Sequence, residues 1–137
     1  MQIPIFKPQT EWLPPTDFPD LGKYDEIAID LETKDPNLNK RMGSGSVVGV
    51  GDVVGVSLAT HDWCAYYPIA HEGGGNMDRK MVLNWLQNQM NTESTKIFHN
   101  AMYDICWLRA IGINVKGRIV DTMIAAGVVN ENRLRYD

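Results

Sequence analysis

The chain lacks the features that define several protein classes. Among its 137 residues are only two cysteines, Cys64 and Cys106, too far apart for the paired spacing of a zinc or redox site. They read as free thiols in a reducing cytoplasm. No apolar run approaches the ~20 residues that a membrane-crossing helix needs. The opening Met-Gln-Ile-Pro-Ile-Phe-Lys-Pro has no charged-then-apolar secretory block, so a cytoplasmic location without a membrane partner is expected. Positive charge is scarce, with 13 Lys and Arg against 17 Asp and Glu and a net charge of −4. Dedicated nucleic-acid binders are usually basic, so binding of that kind would have to come from a local site helped by a cation. His61, His71 and His99 are not spaced as zinc ligands. The glycine run Gly73-Gly74-Gly75 leads from a strand but lacks both the P-loop Gly-Lys-Ser/Thr and the Gly-x-Gly-x-x-Gly pattern.

What the chain does have is Ile27-Ala28-Ile29-Asp30-Leu31-Glu32-Thr33. In a strand, Asp30 and Glu32 project side by side, while Ile27, Ile29 and Leu31 face a core. Adjacent carboxylates on one rigid strand repel each other unless a positive charge lies between them. A hard divalent cation such as Mg²⁺ or Mn²⁺ prefers their oxygen ligands, which points to metal-assisted chemistry on phosphate. The plainer alternative is a strand that ends polar as it runs into solvent.

Residues 1–23, rich in proline, predict an irregular lead-in, with Trp12, Leu13 and Phe18 packing it onto a single domain over 24–137. Strands are expected at Tyr24–Glu32, Asp52–Thr60, Trp63–Ile69, Thr95–His99 and Lys116–Val120. Residues 33–51 read as a turn and a flexible loop, and His61-Asp62 as a tight hairpin connection. Asp78 predicts a cap for a helix over 79–91, with Met81, Val82, Trp85, Leu86 and Met90 on its core face. A second helix runs from Asn100 to about Ala110 and stops near Gly112. Asp121-Thr122 caps a third, Met123 to about Val129. Three antiparallel strands followed by alternating helices and strands define an α/β fold, a mixed sheet of about five strands with helices on its faces.

The second group of interest is Phe98-His99-Asn100-Ala101-Met102-Tyr103-Asp104. Asn100 and Asp104 share one helix face. Asn100 sits where an N-cap belongs, and Asp104 in the first turn gains from the helix dipole; either role could be the whole explanation. Together with Asp30 and Glu32, however, three carboxylates converge from a strand and a helix, as a two-metal nuclease requires.

These segments resemble the first two motifs of the DEDD 3′–5′ exonucleases, and Val120-Asp121-Thr122-Met123-Ile124-Ala125 resembles the Asp-Thr segment that follows them. Their order and spacing are similar to the proofreading domain of family A DNA polymerases, most of all the phage type. Trp12-Leu13-Pro14-Pro15 and Tyr67-Pro68-Ile69-Ala70-His71-Glu72-Gly73 add to the likeness, which covers about residues 10–137. The resemblance implies a ribonuclease H-like fold and a cell that is bacterial or phage-infected. It implies two divalent ions held by Asp30, Glu32 and Asp104, with Leu31, Thr33 and Asn100 at the substrate and Asp121 as a helix cap near the site. The implied substrate is a single-stranded DNA 3′ end, hydrolysed to nucleoside monophosphates.

One departure stands out. The family's third motif, Tyr-x-x-x-Asp or His-x-x-x-Asp, has no match after Asp121. The chain therefore resembles an amino-terminal piece of the domain, expected to be weak alone. It would be completed by the remainder of a polymerase or by a second chain covering bare apolar sheet surface. Two other readings stay open: a non-catalytic module that holds single strands or a polymerase partner, and an RNA-trimming exonuclease. Trp63, Tyr66 and Tyr67 suit base stacking or packing; Lys34, Lys40 and Arg41 suit phosphate contacts or a solvated loop.

Overall fold

The computed structural model describes residues 11–40 and 42–132. Five strands, β1 (Glu26–Lys34), β2 (Asp52–Ala59), β3 (Cys64–Pro68), β4 (Thr95–Phe98) and β5 (Ile119–Asp121), form one sheet in the order β3-β2-β1-β4-β5. The helices are α1 (Gly45–Val48), α2 (Arg79–Met90), α3 (Ala101–Ala110) and α4 (Thr122–Val129). β2 runs antiparallel to β1 and β3, whereas β4 runs parallel to β1 and β5. This is the mixed α/β sheet expected from the order of the elements.

β1 is central because it can bury one whole face. Ile27, Ile29 and Leu31 are buried, while Asp30 and Glu32 are exposed on the other side. The strand begins and ends two residues later than the pattern predicts. Tyr24 is still in a turn, its N–H donating to the Leu21 carbonyl at 3.0 Å. At the far end, pairing with β2 continues through Thr33 and Lys34 after a bulge between Glu32 and Thr33. A bulge sharpens the local twist, here directly beside the two carboxylates.

The core lies between the β1 face carrying Ile27 and Ile29 and the buried sides of α2 and α3. From α2 come Val82, Trp85, Leu86 and Met90, as expected, but Met81 is 57% exposed. The buried set 82, 85, 86, 89 and 90 follows helical spacing, and Met81 lies one residue, or about 100°, off that stripe. Gln89 takes the remaining place, its side-chain oxygen accepting the Leu21 N–H at 2.8 Å. That bond anchors the lead-in, which is irregular over the described residues 11–23. Phe18 stacks on Tyr67 with ring centroids 5.6 Å apart, and Trp85 Nε1 donates to the Pro19 carbonyl at 2.8 Å. Leu13 does not take part: it is 80% exposed.

Two segments are more ordered, or placed differently, than their composition predicts. Within 33–51, a helical turn occupies Leu38–Lys40 and α1 follows it, capped locally by Ser44 and ended by Gly49 at φ +76°. β5 starts three residues late, because Gly117 at φ +84° forms a turn tight against the Ser94 carbonyl. The other connections match expectation: the Thr60 N–H closes the β2–β3 turn on the Trp63 carbonyl at 2.7 Å. Cys64 and Cys106 are free thiols.

The second face of the sheet is open. Ala28, Asp30, Ser57, Ala59, Tyr66 and Ile97 line a hollow of about 660 Å³ across it. Beside the hollow, α4 buries none of its residues, and Ile124, Val128 and Val129 are exposed. Among the described residues, no helix is long and apolar enough to cross a membrane.

The packing of α2 sets up a contrast measurable by urea unfolding. Leu86→Ala, at a fully buried position, is expected to cost about 2–5 kcal/mol. Met81→Ala should stay within about 0.5 kcal/mol of the parent chain.

Candidate active site

Asp30 and Glu32 on β1 and Asp104 in the first turn of α3 lie at the same end of the sheet, near enough for the charges of the first two to act on the third. Asp30 and Glu32 stand on the exposed face of β1, opposite Ser57 and Gly55 of β2. β4 lies parallel to β1 on the other side, so the helix that follows it begins at the same end of the sheet. Asp104, in the first turn of α3, is only 4% exposed. Burial, with the negative charges of Asp30, Asp121 and Glu32, pushes its carboxyl up from 3.8 to about 7. Its Oδ2 is buried with no hydrogen-bond partner; among the described residues only Trp107 Nε1, one turn along the same helix, shares that condition.

The start of α3 is held by Asp121. Its carboxylate accepts the N–H groups of Asn100 at 3.0 Å, Ala101 at 2.8 Å and Met123 at 2.9 Å. Burial raises its pKa, but the donated amides of Ala101, Asn100 and Met123 outweigh that and hold the group below the usual carboxylate range. One side chain thus caps both α3 and α4. This corrects the expectation that Asn100 caps α3. Asn100 occupies the cap position in a left-handed conformation, φ +68°, and its side chain makes no capping bond. With Asp121 on the amides, the exposed Asn100 side chain is left out of the cap. His99 braces the same corner: its Nδ1 lies 2.9 Å from Thr122 Oγ1, which donates to the Phe98 carbonyl.

The predicted substrate residues on β1 separate. Thr33 Oγ1 is 2.9 Å from the Tyr103 hydroxyl, which donates to Asp35 Oδ2 at 3.0 Å. Asp35 in turn accepts the Gly45 N–H at 3.1 Å, which ties α1 to α3. Gly45 has no room for a side chain, since a Cβ there would meet the Val50 carbonyl at 1.9 Å. Leu31 differs from expectation. Its side chain is buried in the core, on the opposite face from Asp30 and Glu32, so its side chain cannot reach a substrate on the carboxylate face.

The two faces of the ribbon containing β3 separate Trp63 and Tyr67 from Tyr66. Tyr67 is buried against Trp85, and Trp63 packs edge-on to the same ring. Tyr66 faces the carboxylates: burial, then the charge of Glu32, raises its pKa. Its hydroxyl is hydrogen-bonded to His71 Nε2. Adjacent residues in a strand must face opposite sides, and that was the signal available for Tyr66. Lys34 is paired with Glu72, Lys40 is exposed, and Arg41 lies outside the described residues. His61 is an exposed turn residue.

The donors gathered here are all hard oxygens. An orphaned buried oxygen and three like charges, with no cationic side chain bonded to them among the described residues, fit a divalent cation. Among the described residues, no three His, Cys, Asp or Glu side chains are already drawn together as a cation-holding group.

The profile of the 3′–5′ exonuclease domain of family A DNA polymerases matches residues 18–136, and the chain belongs to that family of hydrolytic nucleases. It is 34% identical over 119 residues to a DNA-directed DNA polymerase of Pseudomonas phage M6, covering 82% of this chain and 18% of the relative. It is 33% identical over 84 residues to DNA polymerase I of Chloroflexus aurantiacus, covering 60% of this chain and 9% of that one. The chain thus spans less than a fifth of these relatives. In fold it is similar to Brucella melitensis NrnC solved with bound Mg²⁺, with a TM-score of 0.58 and 17% identity over 90% of this chain and 53% of that one. The Aedes aegypti Nibbler EXO domain gives 0.56 and 17% identity over 87% and 53%. The sheet is the ribonuclease H-like one of these exonucleases.

Two measurements test the site's electrostatics and scaffold. Asp104 titrates near 7 when folded, against 3.8 ordinarily. The folded chain then holds the extra proton between those values, so its stability falls as pH rises from 3.8 to about 7. In EDTA, Asp104→Asn should therefore melt about 5 °C higher than the parent at pH 8, a gain that vanishes by about pH 4. At Asp121, Ala is expected to cost about 1–2 kcal/mol in urea unfolding, and Asn much less, because it keeps an acceptor for the amides.

Proposed function

We propose that this chain is a proofreading 3′–5′ exonuclease acting on single-stranded DNA 3′ ends and releasing nucleoside monophosphates. The observation that carries the reading is Asp104, buried with an unpartnered oxygen and facing the charges of Asp30 and Glu32. That arrangement is unfavourable in a bare protein and becomes favourable around a cation. Family membership and the polymerase relatives support the choice of DNA.

In this reading Asp30, Glu32 and Asp104 hold two divalent ions, Mg²⁺ or Mn²⁺. Ions of this kind ready a water for attack and stabilise the leaving oxygen. The chain's own residues do the rest. Asn100, freed from capping by Asp121, reaches the terminal nucleotide, and Thr33, oriented by Tyr103, lines the approach beside Glu32. Above about pH 7 Asp104 is ionised and ready as a ligand. Residues 24–137 form the nuclease unit and residues 1–23 its lead-in. The open sheet face and the bare α4 offer a polymerase body, or a second chain, an apolar surface to cover.

The test is release of label from a 3′-labelled DNA single strand in Mn²⁺, with a matched RNA strand in parallel. Release of mononucleotides that stops in EDTA and falls at least about 100-fold in Asp30→Ala is expected. Preference for the RNA strand would move the substrate to RNA. Strand binding with no release in any metal fits a site weakened by the missing third motif if Mn²⁺ still binds and Asp30→Ala abolishes that binding, and a non-catalytic binding module if Mn²⁺ does not bind.

A further inference from the structure

The side chain that crosses from β3 to the carboxylate face is Tyr66, and the fold has cleared a place for it. Gly55 pairs with Glu32 across β1 and β2. Paired residues in an antiparallel ladder share a face, with Cβ atoms about 5 Å apart. A Cβ built on Gly55 would lie 1.9 Å from the Tyr66 hydroxyl oxygen. The phenol therefore occupies the position a side chain opposite Glu32 would fill, and any residue other than glycine would expel it. Tyr66 is one of the residues lining the open hollow together with Asp30.

The far side of that hydroxyl is also fixed. It is bonded to His71 Nε2. His71 is held by Asn76, whose side-chain oxygen accepts the His71 N–H at 2.7 Å and whose amide donates to the His71 carbonyl at 2.8 Å. The next residue, Glu72, pairs with Lys34 two places beyond Glu32 on β1. The loop after β3 is thus tied to the strand that carries the carboxylates. A phenol has one proton to donate and can accept through its oxygen. With the proton of the imidazole on Nε2, His71 donates to Tyr66 and leaves the phenol's own proton for an acceptor on the carboxylate face.

We propose that Tyr66, braced by His71, is a positioning residue for Glu32, donating to its carboxylate when Glu32 turns to hold a divalent cation. The inference rests on the reading of Glu32 as a cation ligand. Outer hydrogen bonds to ligating carboxylates commonly set metal affinity by about 10–100-fold, so Tyr66→Phe, which keeps the ring and removes only the donor, isolates the effect.

The experiment is Mn²⁺ binding to the whole chain by water-proton relaxation, with urea unfolding of each variant alongside. Tyr66→Phe should weaken Mn²⁺ about 10-fold. His71→Leu should weaken it similarly, His71→Gln should restore binding by keeping a side-chain N–H donor, and the double variant should be no worse than Tyr66→Phe alone. Binding by Tyr66→Phe equal to that of the parent overturns the proposal, whatever its stability. If Glu32→Gln leaves Mn²⁺ binding unchanged, or the parent binds none, the cation reading of Glu32 fails first and this inference falls with it.

Discussion

The structure around the site depends on a single carboxylate that never has to touch a substrate. Asp121 accepts three backbone amides from two helices. Helix starts leave N–H groups without partners, and an anion placed there is stabilised both by those bonds and by the dipole. Because the amides come from α3 as well as α4, Asp121 fixes where α3 begins relative to the sheet. The position of Asp104, one turn into α3, follows from that. Asn100 takes a left-handed conformation that residues with a Cβ seldom adopt, and the bond from its amide to Asp121 is part of what holds it there.

The same scaffold builds a conflict of charge. Asp30 and Glu32 are rigidly side by side on β1, and Asp104 is brought out of water next to them. Stability alone would favour an apolar residue at position 104. A carboxyl with an unpartnered oxygen in that place makes sense as a group waiting for a counter-charge, which links the fold's least favourable feature to its proposed chemistry. The surrounding aromatic and hydrogen-bonded contacts carry the stability, through Tyr67, Trp85 and Phe18 on one side and Gln89 and Leu21 on the other.

Much of this was legible in the chain. Alternation in Ile27 to Glu32 set the two faces of β1, and helical spacing in 82–90 set the buried side of α2, because periodicity records burial directly. The carboxylates were visible as a pattern of residue types in order. Less visible were relations that depend on distant backbone. The capping of α3 by Asp121 joins residues 21 apart, and local sequence favoured Asn100, which sits at the right place with the right side chain. The family resemblance alone places Leu31 at the substrate, whereas the alternation that sets Asp30 and Glu32 outward turns its side chain inward. The start of β5 was lost to a glycine turn that only the Ser94 carbonyl explains.

The Thr33–Tyr103–Asp35–Gly45 chain of hydrogen bonds carries a mechanical implication. It joins the end of β1, the segment leading to α1 and the first turn of α3 at a single phenol hydroxyl, one residue before Asp104. A Cβ on Gly45 would also lie 3.0 Å from the Trp107 ring, so α1 sits directly against α3. Tyr103 is thus the shared contact through which the end of β1, Asp35 and the start of α3 are held together. Losing that one hydroxyl would unlink the end of β1 and the segment leading to α1 from the start of α3 at once.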